Sequence, residues 1–205
     1  VRLALNDSRL RQAQFFYCES LGLVETSRQP DRLYLRCWHE AFPYSLVLDE
    51  APENRLVALG FQVRDTGDLA LLTSKGEQAG VAITREPAGV LSGMGESITF
   101  AIPGGPTLRL FAELSQTGYM TGFDSPDWVT PRALRGTPAP FFLNHAGITV
   151  ADPKAAVDFL TQALGFVISE RIDSDDGKKL LSALVFRMQK EAGGQELAIF
   201  PGPAG

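Results

Sequence analysis

The sequence predicts an α+β fold assembled from tandem βαβββ modules. Three observations carry this reading. A strand, a turn, a helix and a glycine stop follow one another in Phe141 to Phe166, FFLNHAGITVADPKAAVDFLTQALGF. The same signature returns in degenerate form at Val1 and at Ala58, which is what a repeat architecture produces. Each copy is then followed by short segments rich in aromatic and β-branched residues, bounded by glycine and proline turns.

The first copy opens with a strand, Val1 to Asp7, and a helix from about Ser8 to Leu21, stopped by Gly22. Phe16 to Leu23 (FYCESLGL) has the form of Phe159 to Phe166 (FLTQALGF). Two strands are expected next, Arg32 to Trp38 and Tyr44 to Leu48. The second copy starts at Ala58 to Asp65, continues in a helix over Asp68 to Ala79 stopped by Gly80, and passes through a glycine-rich loop, Ala88 to Gly95. Ser97 to Ile102 and Thr107 to Glu113 flank Pro103-Gly104-Gly105, a hairpin signal.

Leu114 to Pro140 shows no sustained periodicity and is rich in Gly, Ser, Asp, Thr and Pro. It reads as a linker and the best domain boundary. The expected division is therefore 1–113 as an N-terminal, non-catalytic domain of two modules, 114–140 as linker, and 141–205 as a third module. That module reads as the first half of an incomplete metal-binding domain.

In the third copy Ala146, Ile148 and Val150 share one face of a strand, and His145, Gly147 and Thr149 share the other. Asp152 suits the N-cap, and Pro153 the first helical position. The helix buries Ala156, Val157, Leu160 and Leu164, and Gly165 takes the left-handed stop. The helix claims the Ala146/Ile148/Val150 face, so His145 is expected to look into the opposite, concave side, where a metal ligand can sit. Lys179 to Met188, a turn at Gly193-Gly194 and Gln195 to Phe200 complete the copy.

Aligning the copies on Asp7, Asp65 and Asp152 superimposes Val1/Leu3/Leu5, Leu59/Phe61/Val63 and Ala146/Ile148/Val150. Ala58 then takes the place of His145 in the second copy, and in the first the position falls before Val1. The first two copies are expected to be structural.

Composition narrows the function classes. The 205 residues are 44% hydrophobic and 21% charged, with a net charge of −5 and no dense Lys/Arg cluster. This argues against a nucleic-acid partner. No apolar run approaches a membrane span. Cys18 and Cys37 form no CxxC motif and are expected to be free thiols in a reducing cytoplasm. The sequence begins at Val1, inside a strand, and stops at Gly205. Residues omitted beyond Gly205 are the favoured reading of that ending, against a native chain of three modules.

The segments LGLVETSRQPDRLYLRCW, GFQVRD, FAIPGGPTLRLFAE and LNHAGITVAD, with DSPDWVTPRALRG in the linker, resemble the vicinal oxygen chelate (glyoxalase) superfamily. Within it they resemble the extradiol ring-cleaving dioxygenases of the catechol 2,3-dioxygenase type. The resemblance implies modules pairing into cup-shaped, barrel-like sheets with helices outside, four modules in two domains, and Fe(II) in the second domain. It makes His145 the first iron ligand, with Mn(II) accepted by the same donors. It implies a small aromatic diol and O2 as partners, a muconic semialdehyde-type product, a place in aromatic hydrocarbon catabolism and a homo-oligomer.

The sequence departs from that pattern in two places. The second His and the Glu of the ligand triad belong to a fourth module, beyond Gly205. The family's acid/base His corresponds to Gln195, whose amide cannot shuttle a proton at neutral pH. The only other histidine, His39, lies in the first module and reads as structural or solvent-facing. Gln195 is either pocket-lining or an ordinary strand residue. Asp173, Asp175 and Asp176 lack the terminal Glu of an EF-hand loop and read as a solvated turn. Arg109 is in phase with Thr107 and Phe111; it could line a cup, but a surface or domain-interface place is expected.

The leading expectation is Fe(II)-dependent extradiol cleavage. The alternatives are a non-catalytic small-molecule-binding protein with a decayed iron site, and a different metal-dependent lyase or isomerase.

Overall fold

The computed structural model describes residues 1–78, 80–118, 139–187 and 196–202, apart from the side chains of Asp7, Ser8 and Arg187. Its backbone divides into two compact units. One comprises Val1–Gly60, Ala88–Gly95 and Glu113–Leu143, and the other Phe61–Pro87, Glu96–Ala112 and Asn144–Gly205.

The first unit contains β1 (Arg2–Leu5), α1 (Asp7–Gln14), a π-helical turn (Phe15–Ser20), β2 (Val24–Gln29), β3 (Arg32–Arg36), β4 (Leu46–Glu50) and most of β5 (Arg55–Gln62). Asn6 starts α1 by accepting a hydrogen bond from the Arg9 amide at 3.1 Å. The strand order is β2-β3-β4-β1-β5, with β1 parallel to β4 and antiparallel to β5. Leu33, Leu35, Leu46 and Leu48 form the core on the α1 side, packed by Val1, Leu3, Leu5 and Leu10. The expected stripe of the first strand is therefore the helix-facing one.

The expected single helix over 8–21 is α-helical only to Gln14. The wider π turn shifts the phase, so Phe15 and Phe16 are 66% and 49% exposed while Tyr17 and Cys18 stay against the core. Gly22, at φ 83°, ends it as expected. β2 lies outside the expected strands because VETSRQ is a polar edge with no apolar alternation. β3 stops at Arg36 and β4 starts at Leu46 because Glu40 folds the intervening loop. Its Oε2 accepts from the Cys37 amide at 2.8 Å and from Ser45 Oγ at 2.7 Å.

The sheet face away from α1 is charged and covered. Asp49 accepts from Arg2 Nε at 2.6 Å and Arg32 Nε at 2.5 Å. Arg32 also reaches the Val90 carbonyl, and the Ser92 amide donates to the Tyr34 hydroxyl. Arg36 donates to Thr117 Oγ1 and the Gly118 carbonyl at 2.9 and 2.8 Å. Tyr34 is fully buried there.

The second unit holds two modules with the same strand order as the first. α2 (Thr66–Gln78), β6 (Thr84–Glu86), β7 (Ser97–Ala101) and β8 (Thr107–Phe111) give β6-β7-β8 running to the end of β5. β9 (Ala146–Val150), α3 (Pro153–Leu164), β10 (Phe166–Asp173), β11 (Leu180–Arg187) and β12 (Leu197–Pro201) give β10-β11-β12-β9, with β9 parallel to β12. The internal repeat is thus a repeat of topology. These sheets are open rather than closed barrels. β6, three polar residues long, also lies outside the expected strands.

The third module follows its local signals closely. Asp152 Oδ1 accepts from the Ala155 amide at 3.0 Å, Pro153 opens α3, and Gly165 closes it at φ 72°. Ala156 and Leu160 are fully buried, with Val150, Val185 and Ile199 at 1% exposure or less. Within the unit, Phe61 meets Phe166 edge-on at 5.6 Å, and the Ala151 amide donates to the Gly104 carbonyl at 2.8 Å. Gly104, at φ 63°, must be glycine for a second reason: a Cβ there would stand 2.9 Å from Ala151 Cβ.

Candidate metal site on the third module

His145 lies one residue before β9, and β9 fixes where it can look. Ala146 and Ile148 pair with Leu197 and Ile199, and Ile148 and Val150 are buried under α3. Gly147 and Thr149 pair with Ala198 and Phe200 on the other face, the face with which His145 is in phase. The imidazole is exposed. Exposure and strand phase agree with the expected side, away from α3; the expected enclosing pocket is not formed among the described residues.

The ring has a defined polarity. His145 Nδ1 lies 2.6 Å from Asn144 Oδ1. An oxygen acceptor places the proton on Nδ1 and leaves the lone pair on Nε2, the tautomer a ligating histidine needs. This chemistry fits one nitrogen donor to a divalent metal. No cluster of three His, Cys, Asp or Glu side chains able to hold a metal occurs among the described residues. Gln195 lies outside the described residues. Asn144 is a contributor that periodicity could not reveal, since a strand pattern says nothing about a neighbour's amide.

The sheet around His145 is apolar and accessible. Phe200 and Ile172 are 44% and 58% exposed. The Phe200 ring occupies the space beside Gly147, with its Cε2 3.7 Å from where a Cβ would be.

The other singled-out residues are structural. His39 stacks on Phe141 with ring centroids 4.1 Å apart, and its amide donates to the Phe141 carbonyl at 3.0 Å. Arg109 corrects an expectation. It is 3% exposed, not on the surface, and pairs with Glu86 at 2.6 Å. An arginine amid TLRLF reads as outward-facing, but Glu86 on the neighbouring polar strand neutralises it, and only the fold brings the two together. Both oxygens of Asp173 accept from Arg171, and Asp176 accepts from Ser174 Oγ at 2.6 Å before Gly177 at φ 68°. Those hydrogen bonds hold both carboxyls below their usual range, as a turn predicts. Cys18 and Cys37 are both free thiols.

Residues 142–204, the module carrying His145, match the glyoxalase/bleomycin resistance protein/dioxygenase superfamily model. Over that stretch the chain is similar to this superfamily. A second model, the catechol 2,3-dioxygenase-like N-terminal domain, matches residues 58–115. The metapyrocatechase of Pseudomonas sp. (strain CF600) is 32% identical over 176 residues, 85% of this chain and 57% of that protein. The manganese-dependent 2,3-dihydroxybiphenyl 1,2-dioxygenase of Geobacillus genomosp. 3 is 20% identical over 85% of this chain and 56% of its own length. The chain thus spans little more than half of these curated relatives. The crystal structure of the 2,3-dioxygenase LapB from Pseudomonas sp. KL28 superimposes with a TM-score of 0.84 at 27% identity, covering 98% of this chain and 68% of LapB. Among the described residues, no helix is long and apolar enough to cross a membrane.

Proposed function

We propose that the protein acts in Fe(II)-dependent extradiol cleavage of a catechol by O2, yielding a muconic semialdehyde-type product, with His145 as one metal ligand. The observation that carries this reading is the contact of His145 Nδ1 with Asn144 Oδ1, on an exposed residue of the module that matches the dioxygenase superfamily. Mn(II) is the alternative metal; it accepts the same donors, and one relative is named for manganese. When bound, the metal would accept the two vicinal oxygens of the ring and O2 and lend them Lewis-acid and redox chemistry.

The chain's own contributions are more modest. Asn144 holds the His145 tautomer. The sheet beside it, with Phe200 at its side, receives the ring. The remaining metal donors come from outside the described residues. Gln195 can hydrogen-bond a substrate hydroxyl but cannot take its proton. Residues 1–113 serve as a non-catalytic domain, a reading supported by the filled inner face of the first module, with 114–140 as its linker. The reading extends to a cytoplasmic homo-oligomer.

The test is O2 uptake after anaerobic Fe(II) loading of the full reading frame and addition of catechol in air. Uptake with a yellow product supports the reading. Tight, iron-independent binding of an aromatic ligand without uptake supports the second reading, a non-catalytic binding protein, which Gln195 favours.

A further inference from the structure

We infer that the site on the third module takes neutral, apolar-substituted catechols and discriminates against rings bearing a carboxylate; this rests on the ring-cleavage reading above. The argument compares corresponding sheet faces in three copies of one topology. In the first module the face away from the helix carries Arg2, Arg32 and Arg36, with Asp49 between the first two. In the second it carries Arg109 and Glu86. Those arginines are committed to internal partners.

Among the described residues of the third module, no arginine is in phase with that face. Pairing places Val167, Leu184, Phe186, Thr149 and Phe200 in phase with His145. Over β9, β12, Ser182–Phe186 and Val167–Ile172, the one formal charge on that face is Glu170, opposite Leu184. Arg171 points the other way, in register with the buried Ala183, and is held by Asp173. A carboxylate brought onto this face would shed water, find no cation among these side chains and meet a like charge. An alkyl or aryl substituent would lie against Phe200 and Leu184. Phe200 is the specificity-determining position, because its ring borders the strand that His145 begins.

The test is anaerobic binding to the Fe(II)-loaded protein, followed by tryptophan fluorescence and calorimetry, of 4-propylcatechol and the similarly sized 3,4-dihydroxyphenylacetate. The neutral ligand is expected to bind about tenfold tighter or more. Phe200→Arg, a change at a half-exposed position, should narrow or invert that ratio, and Glu170→Gln should narrow it severalfold. Equal or tighter binding of the acid by the unmodified protein overturns the inference while leaving the ring-cleavage reading intact. Binding of neither ligand removes both.

Discussion

Glu40 Oε1 accepts a hydrogen bond at 2.8 Å from the backbone amide of Leu143, 103 residues further along the chain. The other oxygen of the same carboxylate closes the loop between β3 and β4 through Cys37 and Ser45. One side chain thus ties the first module to the segment that follows the linker, all within the first unit.

Glu40→Ala should destabilise that unit by about 2–4 kcal/mol, since three donors lose a charged acceptor. Urea unfolding measures it. Glu40→Gln, which keeps an acceptor oxygen, should lose less; equal loss in both variants would show that charge, not hydrogen bonding, dominates.

Cys37 should resist thiol reagents that modify Cys18. Burial, reinforced by the negative charge of Glu40, pushes the Cys37 thiol from 9.0 up to about 12, so its thiolate fraction at pH 8 is about one in ten thousand. Iodoacetamide labelling with mass mapping should find Cys18 alone until denaturant is added. The linkage has a definite sign. A thiol whose folded pKa is raised stabilises the fold fully below pH 9, and loses that contribution as pH climbs toward 12. The stability gap between the native chain and Cys37→Ala should shrink across that window.

Asp49 holds two arginines away from solvent. Asp49→Ala should cost about 3–5 kcal/mol, because two guanidinium groups are left without their anion. Replacing Arg2, Arg32 and Asp49 together with apolar residues of similar volume should cost much less. Thermal denaturation of the two variants distinguishes a need for the charges from a need for balanced charge.

On the third module, Leu160→Ala should lose about 2–5 kcal/mol and Asp152→Ala about 1 kcal/mol, the first opening a void under α3 and the second freeing an N-terminal amide. Chemical denaturation should rank them in that order.

His145→Ala should abolish iron retention while leaving the far-ultraviolet dichroism unchanged, because the ring is exposed and supports no core. Asn144→Ala should weaken retention about 10- to 100-fold by releasing the tautomer. Unchanged iron stoichiometry in His145→Ala removes it from the metal's ligands.

The third module was legible in the sequence because each of its signals is local. Asp152, Pro153 and Gly165 act within one turn of where they stand, and the Ala146–Val150 alternation names its buried face directly. What escaped depends on distant partners or on broken periodicity. The π turn at Phe15–Ser20 shifts the helical phase. β2 and β6 are polar edges held by their neighbours. Arg109 is buried only because Glu86 meets it. The pairing of His145 with Asn144 was in plain sight as two adjacent letters, but only rotamers turn adjacency into a tautomer.

The covered inner face of the first module and the bare one of the third share a topology, so they offer natural selection different freedoms. A substitution beneath Tyr34 or Asp49 threatens the solidity of its own copy. One at Thr149, Leu184 or Phe200 leaves α3 and its buried strands untouched. Substitutions can therefore accumulate on that face of the last copy at little risk to folding, while the first drifts only as far as its ion pairs allow.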